Sequence, residues 1–81
     1  MTIRYHVTVS RYRDEWRAVC PALRRHGADI GGETREEALT HIDNAIQMIL
    51  AQMQTDGIPP PPDETVPDSV VLTFVAEGDA E

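Results

Sequence analysis

Residues 34–59 read TREEALTHIDNAIQMILAQMQTDGIP, and the architecture of the chain turns on them. Thr34 followed by Glu37 is a capping box: the Thr34 hydroxyl can accept from the Glu37 amide while the Glu37 carboxylate reaches back to the Thr34 amide. Glu36 and Glu37 also place negative charge at the positive end of a helix dipole. Behind them Ala38, Leu39, Ile42, Ala45, Ile46, Ile49, Leu50 and Met53 recur at helical spacing. They make one apolar face, with Thr40, Asp43, Asn44, Gln47 and Gln54 on the other side. Gly57 suits the left-handed stop, Ile58 the accompanying apolar contact, and Pro59 forbids continuation. The pattern predicts a helix from Arg35 to Gln54.

Upstream, the period changes from helical to alternating. Ile3, Tyr5, Val7 and Val9 interleave with Arg4, His6 and Thr8, the signature of a half-buried strand. Polar Ser10 to Asp14 is expected to turn. Trp16, Ala18 and Cys20 form the apolar phase of a second strand that ends at Pro21, which has no N–H for a ladder. Adjacent strands with a short connection pair most economically as an antiparallel hairpin. Leu23 to Gly27 reads as a loop, and Ala28 and Ile30 as a short third strand closed by a flexible turn at Gly31-Gly32.

Downstream, Pro59 to Pro62 predicts an extended spacer, and residues 59–69 as a whole a linker. A helix of this length travels about 30 Å, so the chain needs such a return before it can rejoin a sheet. A proline run can also be an SH3-type ligand. Val70 to Val75 predicts a last strand, with Val70, Leu72 and Phe74 on the face expected to meet the helix. Val71, Thr73 and Val75 lie on the other face and are candidates for an oligomer contact, because a long apolar edge left open invites aggregation. Residues 76–81 are expected to fray. The order is β-β-β-α-β: an α+β domain spanning residues 1–81, an antiparallel sheet with one long amphipathic helix on one face.

Bulk properties narrow the function. A chain of 81 residues buries only about 60–65% of its unfolded surface, and small domains without staples often lean on oligomerisation. Cys20 is a lone cysteine, which excludes an internal disulfide and fits a reducing cytosol. No charged-then-apolar leader opens the sequence and no apolar run is long enough to span a membrane, so a cytoplasmic location is expected. The net charge is −7. Up to residue 25 there are six Arg against Asp14 and Glu15; beyond it, Arg35 stands against twelve carboxylates. An acidic body attracts a basic partner and disfavours phosphate; plain solubility explains the same charge.

Residues with chemical potential are scattered. Cys20 with His6, His26 and His41 lacks a metal or nucleophile spacing, and Cys20 sits on a buried phase. His41, four residues after Glu37, is expected to form a surface pair with it. The adjacent carboxylates Asp14-Glu15, Glu36-Glu37 and Asp63-Glu64 point to different faces and do not make a metal nuclease. Gly31-Gly32 before a helix start is too short for a phosphate fingerprint, and Glu33, Glu36 and Glu37 would repel the anion. No catalytic residue, cofactor or metal site is therefore predicted. Arg11, Arg13 and Arg17, interleaved with Tyr12 and Trp16, are the candidate contacts for nucleic acid or an acidic partner.

Taken in order, Trp16-x-Ala18-x-Cys20-Pro21-x-Leu23, Gly27, Gly32, Thr34-x-Glu36-Glu37-Ala38-Leu39, Ile42, Ala45 and Ile46 resemble the HicB-like antitoxin domain, over about residues 3–58. The resemblance implies a fold like part of ribonuclease H without its activity. It implies pairing with a HicA-type toxin, a small basic ribonuclease, whose active surface the antitoxin covers, and assembly into dimers or larger homo-oligomers. The loop Arg24-Arg25-His26 is longer than the family's usual turn. Family members often add a C-terminal operator-binding domain; this sequence ends soon after its last expected strand, so operator repression of that kind is not expected of it. The alternative reading is an orphan oligomeric regulatory or nucleic-acid-binding domain that uses the Arg-rich hairpin.

Overall fold

A computed structural model describes residues 2–75. The elements are β1 (Thr2–Tyr12), β2 (Glu15–Val19), a 3-10 helix (Pro21–His26), β3 (Asp29–Gly32), α1 (Arg35–Thr55) and β4 (Val70–Val75). The strands form one sheet in the order β3-β2-β1-β4, every neighbour antiparallel. The fold is α+β with the β-β-β-α-β order, and α1 lies chiefly over β3, β2 and β1.

The alternation in β1 sets the two faces of this sheet. Tyr5 and Val7 are buried, with Ile3 and Val9 packed against them. Directly opposed residues share a face, so the register puts Phe74 with Ile3, Leu72 with Tyr5, and Ala18 with Val9 on the helix side. Arg4, His6, Thr8 and Ser10 face away. With Ala38, Ile42, Ile46 and Met53 of α1, the helix-side residues Tyr5, Val7, Ala18 and Phe74 close the core.

Four local expectations change. The turn begins later than Ser10: β1 runs to Tyr12, which pairs with Glu15, leaving Arg13-Asp14 as the connection. Ladder hydrogen bonds continue regardless of side-chain polarity, and the polar hairpin tip has solvent on both faces. Arg13 takes a left-handed φ of 60°, which the tight two-residue turn demands. The loop after Cys20 is instead a 3-10 helix with Pro21 in its first turn and Gly27 as its left-handed stop at φ 101°. It buries Leu23 completely. Gly31 and Gly32 are strand residues, opposite Arg17 and Trp16, rather than a turn. A Cβ on Gly32 would stand 2.6 Å from the Ala38 backbone nitrogen, so the missing side chain lets the helix start press against the sheet. Lastly, the face of β4 expected to meet the helix reaches the core through Phe74, whose ring centroid is 6.5 Å from that of Tyr5, while α1 sits mainly over the other three strands.

The helix obeys its sequence closely. Thr34 Oγ1 accepts from the Glu37 N–H at 3.0 Å. The Glu37 carboxylate reaches one residue further back than expected and accepts from Glu33 N–H at 2.7 Å. At the far end the Ile58 N–H donates to Met53 O and the Gly57 N–H to Gln54 O, with Gly57 at φ 71°. That is a Schellman stop one residue past the expected end.

Candidate binding surface

The linker after α1 is fastened to the sheet. Residues 58–66 have no regular structure, yet the Tyr5 hydroxyl donates to Pro61 O at 2.7 Å. The His6 backbone N–H donates to Asp63 Oδ1 at 2.9 Å, and His6 Nδ1 donates to Asp63 Oδ2. Partial burial alone would raise the Asp63 carboxyl, but the His6 backbone and side-chain hydrogen bonds and the His6 charge hold it below the usual carboxylate range. Burial, then the nearby Cys20 and Asp63, pushes the Tyr5 hydroxyl up. The proline run is thus a strap tied down at both partners. Beside the strap is a groove of about 390 Å³ whose lining includes Met53, Ile58 and Pro62 together with Arg25 and Glu64.

The three hairpin arginines do not converge. Arg11 is opposite Trp16 on the helix side of the sheet, whereas Arg17, opposite Ser10 and Gly31, is on the other face. Arg17 Nη1 is bound to Asp29 Oδ1, which together with Glu15 holds its guanidinium in the charged form. Arg13 caps the tip with its guanidinium carbon 5.4 Å from the Tyr12 ring centre. Trp16 is packed against the core and is not a free stacking platform.

Cys20 is completely buried and unpaired, and burial pushes its thiol up, away from a reactive thiolate. His41 Nδ1 lies 3.0 Å from Gly31 O rather than pairing with Glu37, because α1 starts so close to β3. Among the described residues no three His, Cys, Asp or Glu side chains gather as a metal site. No charged side chain is buried there. The ion pairs among the described residues are His6–Asp63 and Arg17–Asp29, so Glu36, Glu64 and Asp68 face solvent without a cation.

Of the candidate oligomer residues, Val71 is 47% exposed and Thr73 is exposed. Val75 ends β4 in register with Thr2, and its side chain is outside the described set, as are residues 76–81. Among the described residues β4 has a neighbour on one side alone. This unpaired edge and the strap are the features that sequence reasoning located only in part: the edge was signalled by the two apolar phases of Val70–Val75, the strap anchors by nothing local.

No helix among the described residues is long and apolar enough to cross a membrane. Comparison with known proteins finds no matching family model, no matching curated protein and no matching solved structure.

Proposed function

We propose that this chain is a HicB-like, antitoxin-type binding protein of the cytoplasm that neutralises a small basic ribonuclease of the HicA type by covering its active surface. It acts by occupancy, not by catalysis. The supporting sequence feature is the ordered set from Trp16 to Ile46 described above. The observation that carries the reading is the excess of acid at the surface: Glu33, Glu36, Glu37, Asp56, Glu64 and Asp68 are all exposed and outside the ion pairs of the described residues, on a chain of net charge −7. Such a surface draws in a cationic protein and repels nucleic acid. It suits an inhibitor that must compete with RNA for a basic active face.

The test is reconstitution with a short basic ribonuclease of the HicA type, taken from beside this chain's own gene where one is encoded there. Co-expression should give a complex that survives purification, and the purified chain should suppress RNA cleavage at near-stoichiometric amounts. Unimpeded cleavage together with failure to co-purify removes the proposal. The hairpin supports a second reading, nucleic-acid contact, through Arg13 stacked on Tyr12 at an exposed tip. That mode demands binding to RNA that weakens steeply with salt.

A further inference from the structure

We infer that the outer edge of β4 is a self-association site, at which β4 of a second copy adds antiparallel to make one continuous sheet. The argument begins at His6. In an antiparallel pair, opposed residues alternate between exchanging hydrogen bonds and pointing their backbone groups away from each other. The His6 N–H goes to Asp63 and not to its β4 partner Val71. His6 and Val71 are therefore a pair of the second kind, and the Val71 N–H and C=O point outward. By alternation those of Thr73 do too, and no turn, loop or side chain among the described residues takes them.

The strand itself carries none of the usual edge-protecting residues. Val70–Val75 contains no charged residue, no proline and no glycine. The opposite edge, β3, has four residues ending in Gly31-Gly32 and lies against α1. The edge of β4 is also complementary to itself. A two-fold axis perpendicular to the sheet at Leu72 sets Val71 of each copy against Thr73 of the other, the outward-pointing pairs that make the ladder. It sets half-buried Leu72 against its own copy, and Val70 against Phe74, on the helix face. Apolar phase meets apolar phase, and two chains of net charge −7 join through a strand that carries no charge. Two four-stranded sheets become one of eight strands with both helices on the same side.

Sedimentation velocity on the full chain tests this. The mass should rise from 9.0 kDa towards twice that value between low and high micromolar concentration. Thr73→Pro removes an outward N–H that the β1 ladder does not use, and Val71→Lys places a charge on the exposed position. Each should weaken dimerisation at least about tenfold, or about 1.4 kcal/mol, with an unchanged far-UV circular dichroism spectrum. Wild type remaining at 9.0 kDa through high micromolar concentration overturns the inference. So do folded variants that dimerise as tightly as wild type; if Thr73→Pro fails to fold, Val71→Lys decides. A chain that stays monomeric yet silences the ribonuclease refutes self-pairing and leaves the proposed function standing.

Discussion

Asp63 shows how much one side chain can organise. It accepts two hydrogen bonds from His6, one from the backbone and one from the ring, at a stretch of β1 beyond the end of its pairing with β2. Asp63→Asn keeps the shape but loses the charge, and should lower stability by at most about 1 kcal/mol at neutral pH, because solvent screens an exposed charged pair. The sign with pH follows from a carboxyl whose folded pKa is lowered. Its contribution is fully present above the unfolded value of about 3.9 and is lost as pH falls through the folded value. Urea melts of wild type and Asp63→Asn should therefore keep their gap down to about pH 4 and converge only as the pH falls further; a gap that persists unchanged well below that pH removes the clamp from the stability of the fold. Gly32 is the second such residue. Gly32→Ala drives a Cβ into the backbone of Ala38 and Glu37 and should cost about 2–4 kcal/mol. Gly31→Ala meets first the movable Glu15 carboxylate at 3.0 Å and should cost less in the same melts.

Among the elements, α1 is the most self-contained. Its start is held by Thr34 and Glu37 and its stop by Gly57 and Ile58. Thr34→Ala should destabilise the protein by about 1 kcal/mol, the usual worth of an N-cap hydroxyl, read as a lower urea midpoint with an unchanged slope. This element was legible almost to the residue because caps and a 3.6-residue period are local properties. The hairpin was less so: its strands follow from alternation, but the turn position depends on Arg13 adopting a positive φ that no Gly or Asn announces. The 3-10 helix at Pro21–His26 was hidden for a similar reason. One buried turn around Leu23 is too short to show a period. For β4 the sequence disclosed two apolar phases; the sheet order shows that this strand is an edge.

At the scale of the whole molecule, charge and shape act together. The fold is elongated, 45 × 21 × 20 Å, and among the described residues no carboxylate is buried and the core is uncharged. If the acidic surface guides a basic ribonuclease, the association rate should fall about tenfold from low to physiological ionic strength, with dissociation changing far less. Stopped-flow binding at several salt concentrations measures both; a flat association rate shows that this surface does not steer the encounter.

From the residues alone came the fold class, the order of elements, the helix with its start and stop, the burial of Cys20 and the two phases of each long strand. These depend on periodicity, capping and backbone chemistry, which neighbours along the chain define. Tertiary structure alone decided that Arg11 and Arg17 lie on opposite faces, that Asp63 and Pro61 strap the linker to Tyr5 and His6, that Gly32 is where helix and sheet nearly touch, and that β4 is an open edge. Each of these joins residues distant in sequence or depends on strand order, and pairing between distant segments is settled by the packing of the whole chain.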